Sequence, residues 1–201
     1  MRPSAPTTSG STAEPLTTES IVSTAGDFVD EFGPEAMTLT KIANELGVTQ
    51  PALYRHVDGL ADVWRELGLA TRATLADNLA EASVGRTGAD AVRAVASTWR
   101  DFGIANPGRY RAADRHADGG DPALEAAAHR TIEVLERALQ GFDLDADELR
   151  FAATTLRSSL HGFVSYELGN GHADHDRVDA SFDRLVDHLC TAFSNRNGAS
   201  T

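Results

Sequence analysis

The side chains with the most chemistry to offer lie close together, in the run TLTKIANELGVTQPALYRH between Thr38 and His56. Thr38, Thr40, Lys41, Thr49, Gln50, Pro51, Ala52, Tyr54, Arg55 and His56 supply hydroxyls, one amide, two cations, an imidazole and two small apolar groups. This is a set suited to hydrogen bonding along a polyanion. Gln50 can donate to and accept from adenine in a bidentate pair, and Ala52 is small enough to approach a thymine methyl. Tyr54, His56 and Lys41 suit phosphate oxygens, and Arg55 suits phosphate or guanine.

Those groups need elements to aim them. Leu39, Ile42, Ala43 and Leu46 recur at the spacing of one buried helical face. Gly47 then offers the turn in which a positive φ is free of a Cβ penalty. Thr49 is the expected N-cap of a second helix, with Pro51 in its first turn, where a missing N–H is tolerated. At about 100° per residue, Leu53 and Val57 point into a small domain. Pro51, Ala52 and Arg55 point away from it, with Tyr54 and His56 on the shoulders. The layout predicts a helix-turn-helix whose second helix fits a DNA major groove. Spacing alone leaves open a helical hairpin with an ordinary solvated face. Upstream, Ile21, Val22, Ala25, Phe28, Val29 and Phe32 form an amphipathic stripe that Gly33–Pro34 stops, predicting a bracing helix.

The run LTKIANELGVTQPALYRHVDGLADVWREL resembles the DNA-binding domain of the TetR family of transcriptional regulators. Every fixed position of the pattern L-x-x-[IV]-A-x-x-L-G-V-x-x-x-x-L-Y-x-H-[VF] is met from Leu39 to Val57. The resemblance implies an all-α protein, with an N-terminal three-helix reading head and a helical C-terminal domain for ligand binding and dimerisation. It implies a homodimer on a palindromic double-stranded operator, most simply a repressor released by a small-molecule effector. The expected division is a disordered tail over 1–15, a head over 16–64 with its connecting helix starting near 58, a body over 65–195, and a flexible tail over 196–201. Two positions depart from the family pattern. Thr40 stands where a basic residue is common, and Leu60 where a lysine is common.

Beyond the head, helical periodicity continues. Leu60, Val63, Trp64, Leu67, Leu75 and Leu79 mark a long connecting helix that breaks at 84–88. Val92, Val95, Ala96, Trp99, Phe102 and Gly103 share a face. Asn106–Pro107–Gly108 turns the chain into a short polar helix carrying Tyr110, and residues 116–122 read as a loop before another helix over 123–139. Leu156, Leu160, Phe163 and Val164 form one later stripe, and Phe182, Leu185, Val186, Leu189 and Phe193 another. Two such stripes are hard to bury in one small core, so pairing with a second copy in a four-helix bundle is expected. The string from Leu156 to Leu189, with His161–Gly162 and a later S-F-x-R-L, resembles the ligand-binding domain found behind TetR heads, which places the dimer interface on the last two helices. Trp99, Phe102, Tyr110, Phe151, Arg157, His161 and Tyr166 are the candidate cavity residues, each equally open to a role in plain packing. Arg157 would favour an anionic ligand if it faces the cavity, and would otherwise sit on an outer face beside an acid.

Composition bounds the alternatives. No apolar run reaches the length of a membrane span, and a single cysteine, Cys190, excludes an intramolecular disulfide framework. Both fit a soluble cytoplasmic protein. Cys190 lies on an apolar stripe, where it acts as a small hydrophobe. No phosphate loop or nucleophile elbow is present, and no catalytic role, cofactor or metal is expected. His172, Asp174 and His175 lack a third firm ligand nearby. The net charge is −12, and residues 16–64 set Lys41 and Arg55 against eight carboxylates, a formal −6. Phosphate neutralisation drives nonspecific DNA affinity, so such a head makes few ionic contacts. A family member that has kept the fold but lost operator binding is the rival reading, motivated by this acidity, Thr40 and Leu60.

Overall fold

The computed structural model describes residues 15–114, 120–169 and 177–195, and these fold into helices with no strand among them. Thr17 opens α1 (Thr18–Phe32) with a capping box: its hydroxyl accepts the Ser20 N–H at 3.1 Å, and the Ser20 hydroxyl oxygen accepts the Thr17 N–H at 3.0 Å. The helix buries Ile21, Val22, Ala25, Phe28 and Val29. Phe32, expected on the same stripe, is 53% exposed. It is the last helical residue, past the edge of the core, and its ring leans on Phe28 at 4.8 Å.

A short 3-10 turn, Pro34–Ala36, leads to α2 (Leu39–Glu45), capped by the Thr38 hydroxyl, which accepts the Lys41 N–H. Gly47 at φ +66 reverses the chain and lets the Val48 N–H return to the Ala43 carbonyl at 2.9 Å. The next helix, α3 (Gln50–Leu53), is a single turn prolonged by bonds from His56 and Val57 N–H to the Leu53 carbonyl. Thr49 occupies the N-cap position as expected, but its hydroxyl makes no cap bond. Its backbone carbonyl receives the Ala52 N–H instead, since Pro51 removes one of the donors a cap would serve.

The connecting helix α4 (Leu60–Ser83) runs for 24 residues, about 36 Å, and belongs to two cores. Val63, Trp64 and Leu67 close the head core with α1–α3, and Leu75 and Leu79 enter the body core. The body adds α5 (Gly88–Ala105), α6 (Pro107–Asp114), α7 (Pro122–Leu139), α8 (Ala146–Leu168) and α9 (Val178–Ser194). The reading of α6 as a short polar helix needs correction. Gly108, Tyr110, Ala112 and Ala113 are buried, because the helix is wedged between α1 and α4 and is covered from two sides. Burial on two sides leaves no single stripe to read. At its start, a Cβ on Gly108 would fall 1.8 Å from the Val29 carbonyl oxygen, so the backbones of α6 and α1 touch directly.

The stripes of α8 and α9 also need correction. Leu156, Leu160, Val164, Phe182, Val186, Leu189 and Phe193 all lie inside this chain's own core, where Val92, Val95, Trp99, Val134 and Leu135 form the facing wall. Among the nine side chains expected at a subunit interface, only Phe163 and Leu185 remain partly exposed. The expectation that two stripes exceed one core left out α5 and α7, which supply the opposite surface. The outer face of α8 instead carries Phe151, Thr155, Ser158, Gly162 and Tyr166. Arg100 locks the three helices together: it donates to Glu167 of α8 at 2.7 and 2.9 Å and to Asp179 of α9 at 2.7 Å, with its guanidinium over the Phe182 ring.

Candidate functional site

Two surfaces gather the residues with functional chemistry. On the head, Leu53 and Val57 are buried, while Thr38, Thr40, Lys41, Thr49, Pro51, Tyr54 and Arg55 are exposed and Gln50, Ala52 and His56 are half-buried. The face is therefore assembled from α2, α3 and the turn after it. Gln50 is held at both ends of its amide. The Thr40 hydroxyl donates to Gln50 Oε1 at 2.9 Å, and Gln50 Nε2 donates to the Tyr54 hydroxyl at 3.5 Å. The Thr18 hydroxyl donates to the His56 carbonyl at 3.0 Å, fixing the end of the turn to α1. Lys41 is turned back on the head: its ammonium donates to the Ala36 carbonyl at 2.8 Å and lies 5.7 Å from the Phe28 ring centre.

Three of the head's eight acids lie away from this face. Between Thr38 and His56 the sequence holds one carboxylate, Glu45, and it borders a groove beside Thr17, Ser20 and Ser23 of α1. Asp27 and Asp30 face the body. Asp30 Oδ1 accepts the Gly108 and Arg109 N–H groups at 2.8 and 2.9 Å, and Oδ2 accepts Arg109 Nε at 2.5 Å. Arg109 Nη2 donates to Asp27 at 2.7 Å. One carboxylate of α1 thus grips the first turn of α6, where the helix dipole also favours negative charge.

The other end of α6 borders a partly open cavity of about 50 Å³ between α4, α5, α6, α7 and α8, with Asp114 and Arg157 on its exposed side. Trp99, Tyr110, Arg157 and His161 line it, together with Thr71, Arg72, Leu75, Ala113, Asp114, Ala128 and Thr131. Phe102 is buried in the same core but faces a different hollow, of about 550 Å³, between α1 and α4. Phe151 and Tyr166, expected in the cavity, are 64% and 55% exposed on the outer face of α8, half a turn away from Leu160. A hydrogen-bonded relay crosses the cavity wall. Trp99 Nε1 donates to the Tyr110 hydroxyl at 2.8 Å, that hydroxyl meets His161 Nδ1 at 3.0 Å, and His161 Nε2 lies 3.4 Å from Asp114. Burial pushes the Tyr110 phenol above the ordinary tyrosine range, against the smaller opposing effect of the Trp99 N–H. Burial lowers the Arg72 guanidinium from its ordinary value, opposed by Asp114 and reinforced by Arg157.

Thr71, Arg72 and Asp114 were missed from sequence. Thr71 carried a signal: it falls between Leu67 and Leu75 at four-residue spacing, a hydroxyl on the buried face of α4. Arg72 and Asp114 carried none, since their shared cavity is created by the packing of α4 against α6. Among the described residues no three His, Cys, Asp or Glu side chains converge on a metal-sized site, and His172, Asp174 and His175 lie outside those residues. No described helix is long and apolar enough to cross a membrane.

This geometry has close counterparts. The family model described as "Tetracyclin repressor-like, C-terminal domain" matches residues 92–189. The HTH-type transcriptional regulator Rv0681 of Mycobacterium tuberculosis is 34% identical over 182 residues, covering 90% of this chain and 83% of its own. The chain belongs to the TetR family of transcriptional regulators. A second relative, the HTH-type transcriptional regulator YobS of Bacillus subtilis, is 30% identical over 74% of this chain and 78% of its own. The fold matches the crystal structure of TetR from Acinetobacter baumannii, with a TM-score of 0.71 and 18% identity, covering 90% of this chain and 98% of that one. TetR membership makes the protein a DNA-binding transcriptional regulator with a helical ligand-binding domain. Within that frame, α2 and α3 are the TetR helix-turn-helix and α4 is the connecting helix.

Proposed function

We propose that the protein is a homodimeric, effector-responsive repressor that reads a palindromic operator with two copies of the Gln50–His56 segment. Thr38, Thr40, Thr49, Tyr54, Arg55 and His56 would position the phosphates, with Gln50, Pro51 and Ala52 against base edges. Lys41 joins them only after leaving the Ala36 carbonyl. The effector would enter the cavity walled by Trp99, Tyr110, Arg157 and His161. The second subunit would pack on the outer faces of α8 and α9, where Phe151 and Tyr166 flank Thr155, Ser158 and Gly162.

One observation supports the regulatory reading above the others. The eight-residue helix α6 forms a wall of the cavity through Tyr110, Ala113 and Asp114, and its first turn is gripped by Asp30 of the reading head. The cavity of about 50 Å³ is far smaller than the roughly 300–1,000 Å³ that an effector of ordinary size needs. An effector that opens it must displace a wall, and displacing α6 strains its hold on α1. The effector's leverage is the difference in its affinity for the closed and open states.

Selection of bound sequences from random duplex DNA tests the reading. The expected winner is an inverted repeat with half-sites about one helical turn apart or a multiple of it. Loss of its binding on adding a fraction of cell extract containing the effector would complete the case. No enrichment with or without extract would overturn operator binding and favour the rival, a TetR-fold module without a DNA site.

A further inference from the structure

Two buried side-chain polar atoms have no partner among the described residues, and both line the same cavity: Thr71 Oγ1 and Arg72 Nη1. Thr71 is 5% exposed, so water does not relieve it from outside. Leaving a buried donor without a partner is unfavourable, and more so when the group is charged. The other half of the Arg72 fork is engaged: Nη2 donates to the Ala113 carbonyl at 2.5 Å, leaving Nη1 as the unpaired end of a guanidinium that lines the cavity. Arg157 reaches the cavity from α8 and makes no ion pair with any described residue. The cavity's one described carboxylate, Asp114, is already shared with His161. In a chain of net charge −12, this hollow gathers two guanidiniums and an imidazole against one acid. Leu75, Trp99 and Ala128 add an apolar part to the wall, beside the hydroxyl-bearing Tyr110 and Thr131.

We infer that the effector is a small organic anion, a carboxylate on an apolar body, whose oxygens accept hydrogen bonds from Arg72 Nη1 and Thr71 Oγ1. The apolar body lies against Leu75 and Trp99, and Arg157 closes the charge from the α8 side. Two convergent donors match a carboxylate, as the guanidinium fork does wherever planar anions are recognised. A neutral carbonyl could meet one donor but would bring no negative charge to a lining that holds two guanidiniums. This inference rests on reading the cavity as the effector site. It also gives the anion a mechanical effect, because Arg72 holds the α6 carbonyl of Ala113: a ligand on the same guanidinium bears directly on the helix clasped by Asp30.

The test uses the full-length chain and three matched acid and primary-amide pairs: benzoate, 2-naphthoate and octanoate, titrated by calorimetry and by Trp fluorescence. At least one acid is expected to bind about 10-fold or more tightly than its amide, the scale of one charge-assisted hydrogen bond. Arg157→Gln, which removes no ion pair among the described residues, should reduce that preference several-fold while leaving amide affinity unchanged. Arg72→Gln should abolish it, and Thr71→Val should weaken the acid a few-fold. If no acid binds, if an amide equals its acid, or if the preference survives in both arginine variants, the inference fails. Operator affinity is measured separately on the selected duplex. Acids that bind without altering operator affinity would uphold the ligand class and sink the regulatory reading. Neutral compounds that bind and release DNA would do the reverse.

Discussion

Replacing Asp30 with Asn isolates the clasp between head and body. The amide keeps the shape of the carboxylate, and its oxygen can still accept the Gly108 and Arg109 N–H groups now bonded to Oδ1. The amide nitrogen then takes the place of Oδ2 and meets Arg109 Nε–H, donor against donor. The loss is one charge-assisted hydrogen bond, about 1.5–3 kcal/mol, with about 0.3–1 kcal/mol from the α6 dipole. Arg109 keeps Asp27, and the Arg109 and Asp30 side chains are 24% and 17% exposed, so solvent trims the total to about 2–3 kcal/mol. For a chain of this size each kcal/mol moves Tm by roughly 2–4 °C, so a fall of about 4–12 °C is expected in scanning calorimetry. A double-mutant cycle with Arg109→Met should show coupling of about 1–2 kcal/mol. The effector-dependent change in operator affinity should shrink in the same variant. A Tm within about 1 °C of the parent, or additive effects in the cycle, would refute the claim that Asp30 holds α6 to α1.

Other perturbations probe the reading face and the cavity. Tyr54→Ala should lower operator affinity at least about tenfold while sedimentation shows an intact dimer, and Gln50→Ala should relax preference at one operator position by about 1–3 kcal/mol; unchanged affinity in the first or unchanged preference in the second removes that residue from the face. With Lys41 and Arg55 as the head's only basic residues, a dimer neutralises at most four phosphates through this face, so log K against log salt should slope no more steeply than about −3.6, or about 150-fold between about 50 and 200 mM salt. A steeper slope in filter-binding titrations would locate contacts outside the head. Tyr110→Phe should cost about 1–3 kcal/mol at neutral pH, from the bonds to Trp99 and His161. Burial raises the folded Tyr110 pKa, so its contribution is complete below the unfolded value of about 10 and is lost as pH rises beyond it. Urea titrations across that range should find the parent losing stability with pH more steeply than the Phe variant, and parallel slopes would count against a buried neutral phenol.

What the residues disclosed in advance was local. Gly47, Pro51 and the spacing from Leu39 to Val57 describe the helix-turn-helix because turn chemistry and burial period act within a few residues. A stripe, however, says that a face is covered and not by what. Leu156, Leu160 and Phe182 read as an interface for that reason, when α5 and α7 cover them. Phe151 and Tyr166 show the converse: large aromatic groups on the solvent side of α8, where a preference for buried aromatics points the wrong way. Arg109 and Asp30 are 79 residues apart and Arg72 and Ala113 are 41 apart, and neither pair leaves a trace in local periodicity. Lys41 was assigned by charge alone, and the Ala36 carbonyl that holds it belongs to a turn whose path the sequence does not define.

Two of the three features that weigh against DNA reading, the acidic head and Thr40, look different once placed in the fold. Asp27 and Asp30 are matched by Arg109 of the body, and Glu45 borders α1, so the formal charge of the head overstates what the reading face presents. Thr40 supplies no ionic contact, but its hydroxyl orients the Gln50 amide, which Tyr54 meets from the other side. An operator reader built this way gives up nonspecific affinity and keeps a base-reading side chain already ordered before it meets DNA. Specificity is a ratio between matched and competing sites, and a genome offers millions of competitors. Lowering the ionic term weakens every site alike, while ordering Gln50 favours the matched one. In that arrangement Thr40 would act as a specificity residue, and the sparse positive charge would make its contribution count.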